Sequence, residues 1–162
     1  MKISGKRPPQ VTEEGLQAAV RVCINAGADL VYLFGSQPRG KAWAESDVDL
    51  AVLLGPSVPK ERFGPVRAQI ISELMTIFGS DDVDVAILNQ ASPLFTYSGV
   101  IQGGRLLFEK DRLTRIQFEV RAFQQYVDTA PLRDIQNRYL KEAIQARAAS
   151  LPPVERHPGH KW

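Results

Sequence analysis

An α/β (α+β) chain, with a mixed or mostly parallel sheet flanked by helices, is what three observations in this sequence predict. Helix-like and strand-like periodicities alternate from residue 11 to residue 108, and no internal repeat covers them. Three short strand-like segments, 30–34, 48–54 and 83–88, have the length of strands, with Gly or Pro punctuating their connections. The 162 residues, 44% apolar and 23% charged, suffice for one ordinary core without disulfides.

Each element follows from its local chemistry. Residues 1–10, with Gly5, Pro8 and Pro9, read as a flexible lead-in. From Val11 the pattern turns helical: Thr12 is placed to cap, Glu13 and Glu14 suit the positive end of the dipole, and Leu16, Val20 and Cys23 share a face. Gly27 supplies the stop. Leu30 to Phe34 then reads as a buried strand delivering the chain into a turn at Gly35. In the second strand, Val48 to Leu54, side chains alternate: Val48, Leu50, Val52 and Leu54 face one way, Asp47, Asp49, Ala51 and Leu53 the other. After Pro56 and Pro59, a core-facing helix carries Val66, Ile70, Leu74 and Ile77 up to Gly79. A third strand, Val83 to Leu88, places Asp84 near its start and opposite Val83, Val85 and Ile87.

Ser92-Pro93 opens a short helix through Ile101, Gly103-Gly104 ends it, and Leu106 to Phe108 is one more short strand. Leu113, Ile116, Val120, Phe123 and Val127 make an apolar stripe on a helix from Asp111, broken or kinked at Pro131. Leu132, Ile135, Tyr139 and Ile144 continue an amphipathic pattern to Ala149. The expected organisation is a core over 1–110, helices over 111–149 packed on it as part of the same domain, and a loose tail over 150–162 that includes His157 and His160.

Composition narrows the function classes. Twenty basic against eighteen acidic residues give a net charge of +2, too small for nucleic-acid binding by bulk electrostatics. Cys23 is the single cysteine, so no intramolecular disulfide forms, and its place in the apolar pattern makes it a packed thiol rather than a nucleophile. The basic N-terminus has no apolar stretch after it and no segment approaches a membrane span, so a cytoplasmic, reducing location is expected.

The chemistry concentrates in FGSQPRGKAWAESDVDLAVLL, residues 34–54. Gly35 permits unusual dihedrals and close backbone approach, and Ser36 offers an N–H and a hydroxyl to terminal phosphate oxygens. Arg39 and Lys41 add positive charge near a triphosphate. Trp43, between the turn and the acids, either stacks on a base or covers the core edge, and packing is the favoured use. Asp47 and Asp49, two residues apart on a strand, point the same way and suit two hard divalent ions roughly 3.5 to 4 Å apart. Asp84 either completes the ion site nearer the nucleophile or accepts the nucleophile's proton, and it is preferred over Asp81 and Asp82, which cap a turn.

These residues resemble the GS-x10-D-x-D signature of the DNA polymerase β-like nucleotidyltransferase superfamily. The extended forms G-S-x-x-R-G and S-D-x-D-L are similar to those of its minimal nucleotidyltransferases. DDVDVAILNQASPLF resembles the group's third-carboxylate strand, with Asp84 at the ligand position. The resemblance implies a polymerase β-like core in which Asp47, Asp49 and Asp84 are catalytic and hold two Mg²⁺, while Gly35, Ser36, Arg39, Lys41 and Ser46 bind the nucleotide. It also implies ATP as the substrate. Small members of the group act as antitoxins that move AMP from ATP to a tyrosine of a HEPN ribonuclease toxin, so a HEPN partner is the expectation, with homo- and hetero-oligomeric states both left open. No nucleic acid or membrane is expected as partner. Two other functions stay open: transfer to a small molecule such as an aminoglycoside, and toxin neutralisation by stoichiometric binding alone.

Overall fold

The computed structural model describes residues 11–35 and 47–150. The lead-in, the tail beyond Ser150, and Ser36, Arg39, Lys41, Trp43 and Ser46 lie outside the described residues. Two compact units divide the chain, 1–126 and 127–162.

The first unit opens with helix α1, Glu13–Asn25, whose first turn is capped as the sequence suggests: the Thr12 hydroxyl accepts from the Gly15 N–H at 3.0 Å. Leu16, Ala19 and Cys23 form its buried stripe, and Val20 packs beside them only partly covered. Burial, reinforced by the charge of Glu73, pushes the Cys23 thiol up to about 12, which leaves it protonated and inert.

Strand β1, Ala28–Phe34, starts two residues before the apolar run, and β2, Val48–Leu54, has the expected limits. They pair antiparallel. Helix α2, Phe63–Phe78, follows a single 3₁₀ turn over Lys60–Arg62 and ends at Gly79 in the left-handed conformation, φ 63°. Its last buried residue is Phe78 rather than Ile77, because the inward row runs Phe63, Val66, Ile70, Leu74, Phe78. Strand β3, Val83–Ile87, pairs parallel with β2, the geometry a strand–helix–strand connection imposes.

Leu88 enters a 3₁₀ turn over Leu88–Gln90 instead of extending β3. There Asn89 anchors the far end of β2: its Oδ1 accepts from the Leu54 N–H at 2.8 Å and its Nδ2 donates to the Leu54 carbonyl at 2.9 Å. The helix that Ser92 opens widens into a π-helical segment, Phe95–Ile101, with the Gln102 N–H reaching back five residues to the Tyr97 carbonyl. Strand β4, Arg105–Glu109, then pairs antiparallel with β1. The sheet order β3-β2-β1-β4 is therefore mixed, with two of its three pairings antiparallel.

Side-chain alternation divides the core into two layers. Val31, Leu33, Val48, Leu50, Val52, Val83 and Val85 pack under α1 and α2. Leu30, Tyr32 and Ala51 face the other way, against Leu88 and Val100, with Phe34, Phe95, Leu106 and Phe118 at the margin. Leu74 is fully buried in the larger layer. Leu74→Ala is expected to cost about 2–5 kcal/mol, visible as a lower urea midpoint at an unchanged m value.

Helix α3, Arg112–Asp128, begins where Asp111 accepts from the Thr114 N–H at 2.8 Å. The stripe Leu113, Ile116, Val120, Phe123 and Val127 stays exposed. The covered positions run instead through Arg115, Phe118, Glu119 and Ala122. Hydropathy hides that face because two of its members are charged and paired: Arg115 binds Glu109 and Glu119, and Glu119 accepts from the Tyr32 hydroxyl at 2.9 Å.

The second unit holds α4, Ala130–Ser150, which starts one residue before Pro131. Pro131 thus sits in a first turn, where its missing N–H costs nothing. Leu132, Ile135, Tyr139, Leu140 and Ile144 are all exposed on α4. Among the described residues no helix is long and apolar enough to cross a membrane.

Candidate active site

Three short segments converge at one end of the sheet. Antiparallel pairing sets Phe34, the last residue of β1, opposite Asp49 near the start of β2. Parallel pairing sets Asp49 beside Asp84 near the start of β3. Both acids project to the sheet face that carries Tyr32 and Ala51, away from α1 and α2. Asp47 stands exposed, one residue before β2.

Gly35 turns the chain directly over Asp49. Its φ is +80°, and a Cβ there would stand 2.5 Å from Asp49 Oδ2. Only glycine combines that dihedral with that approach. Of the residues expected to cradle phosphate, Gly35 is the one within the described residues.

Negative charge and burial set the state of Asp49. Burial first, then the charges of Asp47 and Asp84, holds the Asp49 carboxyl above the usual carboxylate range. A cation among the three would relieve that repulsion, and carboxylate oxygens are the donors that Mg²⁺ prefers. The donor set therefore fits a hard divalent ion, although among the described residues no three acidic, His or Cys side chains are already gathered around one point.

Asp84 is held by its own neighbours. Its Oδ1 accepts from the Val85 N–H at 2.8 Å and from Arg67 Nη2 at 2.6 Å. Arg67, on α2, also donates through Nε to the Val85 carbonyl at 2.6 Å. The sequence reading missed Arg67, since nothing local sets it apart from other exposed helix residues; only the packing of α2 beside β3 brings it to the acid. Arg67 also borders a cleft of about 300 Å³ lined by Phe63, Gly64, Ala86, Gln90 and Ala91.

Aromatic side chains bound the same face. Phe34 and Phe95 meet edge to face at 5.2 Å, next to the Gly35 turn. Tyr97 touches Phe123 and Tyr126, with ring centroids 5.2 and 4.9 Å apart. Burial and the bond to Glu119 push the Tyr32 hydroxyl well above its ordinary range, so it serves packing rather than proton transfer.

The sequence model of the family described as polymerase beta nucleotidyltransferase matches residues 22–113, more than half of the chain. No curated protein matches it. Among solved structures, a chain from tri-AMPylated Shewanella oneidensis HEPN toxin in complex with MNT antitoxin has 22% identity and a TM-score of 0.62, covering 79% of this chain and 98% of that one. A toxin–antitoxin structure with AMP-PNP has 25% identity and a TM-score of 0.64, covering 80% and 99%. A MntA-HpeT toxin–antitoxin mutant, D39ED41E in its own numbering, is similar at 24% identity and a TM-score of 0.64, covering 80% and 99%.

Proposed function

Because the chain belongs to the polymerase beta nucleotidyltransferase family, we propose that it moves AMP from ATP to a tyrosine hydroxyl of a HEPN toxin and acts as that toxin's antitoxin. The observation that carries the donor half is Gly35 lying against Asp49 with Asp84 in register beside it. A backbone turn suited to phosphate and three carboxylates suited to cations meet at one sheet end.

Asp47, Asp49 and Asp84 would hold two Mg²⁺, which when bound supply charge neutralisation along the triphosphate and around the departing pyrophosphate. The Gly35-Ser36 turn, with Arg39, Lys41 and Ser46, orients the phosphates. The acceptor oxygen attacks the α-phosphorus, the new O–P bond forms as the bond to the β-phosphate oxygen breaks, and pyrophosphate leaves. The hydroxyl proton passes to Asp84, whose side chain is well exposed at the sheet margin and open to an incoming acceptor.

Two observations support a protein as acceptor. The solved neighbours include a complex with a tri-AMPylated HEPN toxin. In addition, Leu132, Ile135 and Tyr139 recur at helical spacing on α4 and are exposed, an apolar row suited to a partner's surface. That row also favours stoichiometric neutralisation by binding as a second reading, and the two mechanisms are compatible.

The test is mass spectrometry of a HEPN toxin after incubation with the chain, Mg²⁺ and ATP. One or more added AMP masses on a tyrosine are expected. A stable complex with no added mass sinks the transferase reading and leaves binding alone.

A further inference from the structure

Arg67 makes two contacts at one point of the sheet's open edge, and together they constrain the third carboxylate. The Val48 N–H donates to the Asp82 carbonyl at 3.0 Å, so the peptide groups of residues 82 and 84 turn toward β2 and those of Val85 turn away from it. Among the described residues β3 is an edge strand, and the outward groups of Val85 have no neighbouring strand there. Side chains satisfy both: Asp84 Oδ1 takes the Val85 N–H at 2.8 Å, and Arg67 Nε gives to the Val85 carbonyl at 2.6 Å. Arg67 Nη2 then closes the ring on Asp84 Oδ1 at 2.6 Å.

We infer that Arg67 is the positioning residue for Asp84 in the transfer reaction. The inference rests on the transferase reading given above. Both side chains of the pair are about half exposed, 46% and 62%, and ion pairs at such sites contribute little to stability. What the ring does fix is orientation. A carboxylate on an open strand edge would otherwise rotate freely about χ1 and χ2. With Oδ1 occupied by two donors and the guanidinium tethered to the backbone, one oxygen, Oδ2, is reserved for the reaction.

Lysine reproduces this only in part. The planar guanidinium spans carbonyl and carboxylate at once, whereas an ammonium is a point charge on a flexible stem. Arg67 also forms one wall of the cleft that runs along the same strand past Ala86.

The experiment compares wild type, Arg67→Met and Arg67→Lys by single-turnover and steady-state AMP transfer, and by ¹⁵N NMR of the full chain without metal or nucleotide. Arg67→Met is expected to lower kcat about 10- to 100-fold, the cost of a misplaced catalytic group. Its KM for ATP should stay within about twofold, because the donor-side contacts are untouched. Arg67→Lys should recover part of kcat. In the wild type, the Arg67 Nε–H and the Val85 amide should exchange slowly with solvent. A kcat unchanged in Arg67→Met with an active wild type, or an Arg67 Nε–H exchanging as fast as solvated arginines, overturns the assignment. No transfer by the wild type, with slow Arg67 exchange, instead overturns the transferase reading on which the role rests.

Discussion

Asp49→Asn is expected to abolish AMP transfer while leaving the chain at least as stable as the wild type. The loss follows from charge. Asparagine keeps the shape and one carbonyl oxygen but surrenders the negative charge that draws a divalent ion, and a reaction between two electron-rich partners then proceeds without compensation. A loss of on the order of 10³-fold or more is expected at each of Asp49→Asn and Asp47→Asn, measured as rate of AMP incorporation. Retained transfer in both variants would reject the carboxylate site.

The stability half has its own sign. Burial and the charges of Asp47 and Asp84 raise the folded-state pKa of Asp49 above its unfolded value. Between those two values the folded chain binds more protons than the unfolded one, so stability falls as pH rises through that window and stays reduced above it. The asparagine side chain cannot ionise. In the absence of metal, thermal unfolding of Asp49→Asn should therefore give a Tm equal to or above wild type at pH 7, with the advantage shrinking as pH falls below the carboxylate range. A Tm several degrees lower at pH 7 would mean that the ionised carboxylate supports the fold. The combination of lost activity with retained stability separates a reaction site from a surface turn that happens to hold acids.

What was legible in the sequence was whatever is encoded locally. Strand β2 could be read to the residue because a short Val- and Leu-rich segment bounded by Asp47 and by Gly55-Pro56 has the length and composition of a buried strand. Thr12 marked the start of α1 because a hydroxyl three residues before a free N–H has one good use there. Asp47 and Asp49 could be matched to Gly35 because their separation in sequence is the signal. The rest depended on contacts between distant segments. The inward face of α3 escaped hydropathy since Arg115 and Glu119 occupy it and are neutralised by Glu109 and by each other. Arg67 escaped because an exposed arginine on a helix gains meaning only from the strand beside it. Ser92-Pro93, just ahead of the π-helical segment at 95–101, specify a helix start but not its width.

Gly35→Ala is the sharpest test of how turn and acid cooperate. Two separate penalties fall on it. An L-residue at φ +80° is strained, by roughly 1–2 kcal/mol. Independently, the new methyl would stand 2.5 Å from Asp49 Oδ2, so the carboxylate must rotate or the turn must lift. Either movement separates the phosphate-binding backbone from the acid. Transfer is expected to fall by about 10²-fold, as for any displacement near an ångström at a reacting centre. The two penalties can be told apart in an Asp49→Ala background. With no carboxylate to meet, the alanine at position 35 costs only its backbone strain, and its effect on the urea midpoint should shrink accordingly. An identical stability cost with and without Asp49 would show that the turn and the carboxylate do not touch in solution. Direct apposition of Gly35 and Asp49 would then no longer support a single site for phosphate and metal.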